Sequence, residues 1–419
     1  MSRSEARAKV SVVIPTYNRR DLLSRTLHQL TRQDMPAAEF EVIVSDDGSS
    51  DGSQAVAESF SDRLRMKYTF QPDLGYRAGA ARNSGARLAT APVLAFLDTG
   101  CLAGPGFLRH HLAGHGDDAI HHAVMGPAYG YNPGEPVPGL AEALDQFPPE
   151  EVIARFEGDP VFQDFRYPAL LECDFDPNRR AIPWNLFFSS NFSVRADDFW
   201  AVGGYDERFH GFGFEDLELG FRLFRRGMPF LDTQDAWIIE WPHERDMEAN
   251  YKEALINQDR FLEKYQEPVV EIGWMATAKG NYWTCEDDYR ELTAWSREVS
   301  GMNVAGELAA ARQLISADDR IAVIGSGGSI PASLAGAIVV DFDREMLDHA
   351  LAAGRNHGHH AIGGRTPLAD QSVDTVIITS RLAGLWPQWG EELLAEASRI
   401  GRRVVTFADL ADARPQAAG

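Results

Sequence analysis

A chain of 419 residues, 44% hydrophobic and 24% charged, has the composition of a folded protein of about two or three domains and excludes global disorder. Its 62 acidic and 40 basic residues leave a formal net charge of -22, which excludes broad adhesion to nucleic acid or anionic lipid but still admits a small anion at a locally neutralised site. Three scattered cysteines, Cys101, Cys173 and Cys285, form no CxxC and fit reduced thiols rather than a disulfide framework or zinc knuckle.

The first segment alternates strands and helices. Val10 to Ile14 is a short β-branched run that predicts a buried parallel strand, stopped by Pro15-Thr16-Tyr17-Asn18. Leu22, Leu23, Thr26, Leu27 and Leu30 follow at helical spacing. Phe40 to Ser45 predicts a second strand, running into the acidic turn Asp46-Asp47-Gly48-Ser49-Ser50-Asp51. Strands are also expected at Met66 to Phe70 and Val93 to Leu97, with a small-residue helix at Ala80 to Leu88 between them. Asp98 then stands at a strand's carboxyl end, as do Asp46 and Asp47, which is where ligands bind in open α/β sheets.

Gly126 to Arg180 is rich in proline and aromatics and reads as a loop-rich stretch shaping a cleft. Ser190 to Arg195 resumes a strand, Glu215 opens a helix ending at Gly227, Ala236 to Trp241 is a strand, and Asn250 to Tyr265 an amphipathic helix. Glu218 is expected to face solvent. His111 and His115 are expected at the surface, and His357 to His360 in a loop. Ser300 to Ile315 reads as a helical connector. A second α/β pattern follows: strand Arg320 to Ile324, glycine turn 325–328, strand Ala337 to Val340, helix Glu345 to Ala353, strand Thr375 to Thr379, helix Glu391 to Ile400 and strand Arg402 to Phe407. The tail 411–419 is expected to fray. The charged start, Met1 to Lys9, precedes an apolar run broken by Pro15, so no signal peptide is expected. No run of about 18 apolar residues predicts a membrane span. A cytoplasmic location is the expectation.

Four motifs, in this order, carry a resemblance: VSVVIPTYNR (10–19), VIVSDDGSSDGS (42–53), GYRAGAARNSGARLATAPVLAFLDTGC (75–101) and SNFSVRADDFWAVGGYDERFHGFGFEDLELGFRLFRRG (190–227). From Val10 to about Tyr265 the chain resembles inverting glycosyltransferases of the GT-A fold, family 2 type, in the chondroitin-polymerase and β-1,4-galactosyltransferase branch. The resemblance implies an α/β fold with a mostly parallel, Rossmann-like sheet and a nucleotide-sugar donor, most simply a UDP-sugar. By that match Pro15, Thr16 and Tyr17 line the base pocket, and Asp47 meets the base or ribose. Arg77 and Arg82 approach the diphosphate or form structural ion pairs. Asp98 touches the ribose. The pair Glu215-Asp216 supplies the base, Asp216, and a sugar or acceptor contact, Glu215. Gly211 and Gly213 would let the loop before it close over the donor. Trp184 and Asn185 either stack on sugar or pack in the core.

The motif Asp98-Thr99-Gly100 departs from the family, whose second acid would bind a divalent ion. Glu240 and His243 in WIIEWPHERD could join Asp98 in holding Mn2+ or Mg2+, or His243 could meet the diphosphate without metal. The acceptor is a glycan, a natural product or a peptide, and a homodimer is possible.

IAVIGSGGS, VVDFD and TPLADQSVDTVIITSRL resemble the core of class I S-adenosylmethionine methyltransferases, with Asp341 or Asp343 toward ribose. The segment is short for such a domain, so S-adenosylmethionine is not expected as a cofactor and the module reads as degenerate. The resulting division is a GT-A domain at 8–275, a helical connector at 276–317 and a smaller Rossmann-like α/β domain at 318–410. The alternatives are a bifunctional glycosyl- and methyltransferase, a non-catalytic nucleotide-sugar binder, and a sugar nucleotidyltransferase.

Overall fold

The computed structural model describes residues 7–116, 119–132, 136–352 and 354–412, so the last residues of the expected frayed tail lie outside it. The chain divides into two compact units, Met1–Asn257 and Gln258–Gly419. Among the described residues no helix is long and apolar enough to cross a membrane.

In the first unit the strands are β1 (Val10–Thr16), β2 (Phe40–Asp46), β3 (Met66–Phe70), β4 (Val93–Leu97), β5 (Cys101–Ala103), β6 (Ala123–Met125), β7 (Ala128–Tyr129), β8 (Asn191–Arg195), β9 (Phe230–Asp232) and β10 (Ile238–Glu240). The main sheet has the order β3-β2-β1-β4-β8-β6-β9, and a small sheet has the order β5-β10-β7. The first four strands of the main sheet are parallel, and β8 is antiparallel to both β4 and β6. β1, β2 and β4 are buried along nearly their whole length, as strands covered on both faces are, with Ser11 and Glu41 bonded to each other among the apolar residues. The helix Ala78–Leu88 lies close on the sheet because its residues are small. A Cβ added at Gly85 would stand 2.7 Å from Val13 Cγ1. On the same face, Phe96 of β4, the register partner of Val13, stacks on Phe192 of β8 with centroids 4.6 Å apart and tilts against Phe199.

The second unit holds a five-stranded parallel sheet with the order β13-β12-β11-β14-β15. Its strands are β11 (Ile321–Ile324), β12 (Ile338–Asp341), β13 (His357–His360), β14 (Val373–Ile378) and β15 (Gly401–Thr406). Glu271, fully buried on the helix Pro268–Ala278, accepts backbone N–H groups from Ile362, Gly363, Gly364 and Arg365 at 2.5–2.9 Å. That one carboxylate satisfies the turn leaving β13.

Four expectations need correction. His111 and His115 are buried, not at the surface, and both bond Ser193 Oγ, at 2.9 and 2.8 Å. Burial holds both rings neutral, near 4 and 3. Glu218 is fully buried, because Arg222 one turn on pairs with it and itself bonds the carbonyls of Val202 and Gly204. His357 to His360 form edge strand β13, since the parallel partner β12 supplies the ladder that their own weak strand propensity would not. The described residues of the stretch 126–180 include three short helices, Leu140–Gln146, Pro149–Arg155 and Tyr167–Glu172, and the first two pack apolar residues into one cluster with Tyr129 and Phe162.

Candidate active site

The carboxyl ends of β1 and β2 meet in a turn with divided labour. Asp46 serves the turn itself, accepting from Gly48 N, Ser49 N and Tyr68 Oη at 2.6–3.0 Å. Asp47 clamps the loop after β3. It accepts from Arg77 N at 2.8 Å, from Gln71 Nε2 at 2.5 Å and from Arg77 Nη2 at 3.4 Å. Arg77 also reaches the carbonyl of Pro72. Pro15 O accepts from Thr99 Oγ1 at 2.7 Å, and Thr16 Oγ1 is buried with no hydrogen-bond partner among the described residues. Tyr17 is exposed and donates to Asp73 at 2.7 Å. These residues line one rim, where, among the described residues, Thr16 Oγ1 is buried without a partner and the Tyr17 hydroxyl is held by Asp73.

Arg82 organises the centre. It is buried on the helix Ala78–Leu88, and its guanidinium lies 2.7 Å from Asp98 Oδ1 and 3.2 Å from Glu215 Oε1. The short side chains beside it allow the helix to carry a long one inward. Arg82 is therefore a carboxylate bridge rather than an open diphosphate cation.

The helix Glu215–Arg225 starts after a loop with positive φ at Gly211 (81°), Gly213 (85°) and Phe214 (69°). Glycine is needed at the first two for that reason. The loop is tied down by Gly211 N to Tyr76 O (3.0 Å), Phe212 N to Glu253 Oε2 (2.8 Å) and Asn257 Nδ2 to Gly213 O (2.8 Å). Asp216 Oδ2 accepts from Ser189 N at 3.1 Å. Burial and then the neighbouring Glu215 charge push Asp216 up to about 7, despite hydrogen bonds that favour its ionised form. Glu215 is also raised, by burial first, while Arg82 opposes. Glu215 is thus the acid held by the guanidinium, and Asp216 the one without it. Tyr76 has a half-exposed ring, and its hydroxyl end faces Glu215, Arg82, Asp98 and Asp216. Trp184 and Asn185 are buried, and Trp184 lies edge-on to Phe221.

Asp98 is followed by Gly100, with φ of 99°. Gly100 N donates to Thr26 Oγ1 at 2.9 Å, and Trp241 N donates to Gly100 O at 2.9 Å. That bond brings the end of β10 to the same rim. Glu240 there is ion-paired with Arg245, and its Oε1 lies 3.7 Å from His243 Nδ1. Burial pushes Glu240 up to about 7 against the opposing pull of Arg245, and the nearby Asp98 charge adds to the rise. His243 Nδ1 lies 3.2 Å from Trp241 O, and burial lowers its pKa. Among the described residues no group of three or more His, Cys, Asp or Glu stands so as to hold a metal ion. Asp98, Glu240 and His243 do not fit a divalent ion as arranged, because each carboxylate already carries a guanidinium.

A cleft of about 510 Å3 runs along the outer face of the helix Arg20–Leu30, lined by Arg25, His28, Arg32, Phe147 and Trp241. Arg25 pairs with Asp145 and Arg32 with Glu150, so its charge is already balanced.

In the second unit the glycine turn after β11 meets Asp341, which accepts from Ser326 Oγ at 3.0 Å and Gly327 N at 3.1 Å. Arg381, fully buried, lies 3.5 Å from Asp341, and a Cβ at Gly327 would stand 3.0 Å from Arg381 Cδ. A side chain of the protein thus fills the crevice beside that turn.

Arg245, Ser189 and Tyr76 were not singled out from sequence. Arg245 sits two residues past His243, inside the quoted segment, and that proximity was the available signal.

Two family models match. "Glycosyl transferase family 2" covers residues 11–171 and "N-terminal domain of galactosyltransferase" covers 170–239. Neither reaches the C-terminal module. The validoxylamine A glucosyltransferase of Streptomyces hygroscopicus subsp. limoneus is 44% identical over 407 residues, 94% of this chain and 89% of the relative. Its counterpart in strain 5008 of subsp. jinggangensis is also 44% identical, over 94% of this chain and 96% of the relative. The chondroitin synthase of Escherichia coli is 30% identical over 237 residues, covering 54% of this chain and 34% of that enzyme.

Proposed function

This chain belongs to the family 2 glycosyltransferases and acts from a nucleotide sugar, and on that premise we propose that it is an inverting hexosyltransferase with Asp216 as its base. The observation that supports this most is the buried pair at the start of the helix Glu215–Arg225. Asp216 is pushed up to about 7, while Glu215 is held by Arg82. A base poised near neutrality both takes and holds a proton at working pH.

The reaction is a single in-line displacement. An acceptor hydroxyl oxygen bonds to the anomeric carbon while the bond from that carbon to the diphosphate breaks. The hydroxyl proton passes to Asp216, and the bonding pair leaves with the diphosphate. Asp98 and Glu215, joined through Arg82, set donor ribose and acceptor at a fixed separation, which supplies the orientation such a step needs. Thr16, Tyr17 and the Asp47 clamp hold the nucleotide end, most simply as a UDP-sugar. The acceptor we propose is validoxylamine A, the compound in the name of the 44% identical relatives, or a natural product like it.

We take 8–275 as the catalytic domain, 276–317 as connector and 318–410 as an auxiliary module. Arg381 in the crevice beside Asp341 supports a module that binds no S-adenosylmethionine.

The test is incubation of the enzyme with validoxylamine A and UDP-glucose, UDP-galactose, UDP-N-acetylglucosamine or GDP-mannose. Proton coupling at the new anomeric centre then reports the stereochemistry. Inversion of the α-linked donor gives a β product. An α product, or a β product formed undiminished by Asp216→Asn, would refute the assignment.

A further inference from the structure

Leaving-group departure concentrates negative charge on the diphosphate, and a preorganised cation there lowers the barrier. Both arginines expected in that role are already held at two polar points. Arg77 is bound to Asp47 and to the carbonyl of Pro72, and Arg82 is buried between Asp98 and Glu215. The position where a second acid would recruit a metal is Gly100. Its φ of 99° strains any side chain, and a Cβ there would meet Leu22 Cδ1 at 3.4 Å. Its N–H and C=O are both fixed, to Thr26 and Trp241. The turn is built around glycine rather than merely lacking an acid.

Among the described residues, a further guanidinium on this rim is held at one polar point only. Arg245 follows β10, pairs with Glu240 and lies over the Tyr131 ring at 4.9 Å from its centroid. Its side chain is 18% exposed and that of Glu240 is 13% exposed. A planar guanidinium can bind a carboxylate along one edge and a phosphate along another, and an aromatic face fixes its plane. Trp241, adjoining Glu240, bonds to Gly100 in the Asp98 turn, so this cation and the ribose-side acid are tied to one backbone junction.

We propose that Arg245 is the cation that meets the donor's diphosphate, replacing the divalent ion that a complete acid motif would recruit. Glu240 and Tyr131 position it. The proposal rests on the nucleotide-sugar reading above. As the anomeric carbon–oxygen bond breaks, its electron pair moves to the phosphate oxygen that Arg245 contacts, and no further reagent is needed. Glu240, expected as a metal ligand, instead anchors the substitute.

The experiment measures binding of UDP, GDP, dTDP and ADP, and of the matching monophosphates, by calorimetry in EDTA and in MnCl2. Wild type, Arg245→Ala and Arg245→Lys are compared, and thermal melting checks that each folds. The diphosphate that binds is expected to do so equally in EDTA and in Mn2+. Arg245→Ala is expected to weaken it by about tenfold or more, the loss of charge-assisted hydrogen bonds. The monophosphate is expected to bind unchanged, which a merely structural Arg245–Glu240 pair would not predict. Arg245→Lys is expected to recover part of the loss. Diphosphate binding that requires Mn2+ would overturn the proposal and return Glu240 and His243 to the metal. Binding in EDTA that Arg245→Ala leaves intact would overturn the Arg245 assignment alone. No binding of any nucleotide in either buffer would overturn the donor reading, and this proposal with it.

Discussion

Replacing Glu215 by Gln separates the two acids of the active site. In the native enzyme Asp216 sits near 7, raised first by burial and next by the Glu215 charge. A base must be ionised to act, so kcat/KM falls about tenfold per pH unit below 7 and levels off above it. At pH 6 only about one Asp216 in eleven is ionised. Glu215→Gln removes the neighbouring charge but keeps the burial. The midpoint then moves toward acid while staying above an ordinary carboxylate. A shift of about one unit, some 1.4 kcal/mol, would leave half the population ionised at pH 6, roughly a fivefold gain in competent base. Loss of a sugar or acceptor contact lowers the plateau, so the limb's midpoint is the readout and its height is not. Initial rates from pH 5 to 9 with a saturating donor measure it. A midpoint that stays near 7, or moves to alkali, would refute Asp216 as the titrating base or Glu215 as the group that raises it.

Other substitutions probe neighbouring parts of the structure. Asp216→Asn should lower kcat by about a hundred- to ten-thousandfold with little change in melting temperature; a loss under tenfold would point to another base. Arg82→Met leaves Glu215 and Asp98 facing each other without their bridge and should cost about 3–5 kcal/mol in urea unfolding; an unchanged midpoint would show that both acids simply take up protons. Phe96→Ala opens a hole beside Phe192 and Phe199 and should cost about 3–5 kcal/mol by the same measurement. Gly100→Asp should destabilise by about 1–2 kcal/mol because of its positive φ, and should confer no Mn2+ dependence on nucleotide binding; a tightly bound ion in that variant would count against the Arg245 assignment.

The parallel strands and the acid positions at their ends were readable because β-branched runs and turn residues report local backbone preference directly. Asp98, Glu215 and Asp216 could be singled out on that basis together with the family motifs. What those residues touch was not readable. Arg82 and Arg77 carry the same side chain, yet one is drawn into a carboxylate bridge by the close-lying small helix and the other ends on Asp47 and Pro72. His111 and His115 read as surface residues because nothing local announces Ser193 and Asn191, some 80 positions away, which satisfy them. Glu218 was misplaced for the same reason, since its burial depends on Arg222 and on carbonyls of another loop. The strand His357–His360 has almost no intrinsic β signal and exists through its partner.

The guanidinium shared by Asp98 and Glu215 has a kinetic corollary. If the donor draws Asp98 away from Arg82, as the proposed ribose contact requires, the grip on Glu215 changes with it, and occupancy of one half is felt in the other. The two co-substrates would then fill their places in a preferred sequence. A donor KM indifferent to acceptor concentration would mean the linkage is too slack to matter.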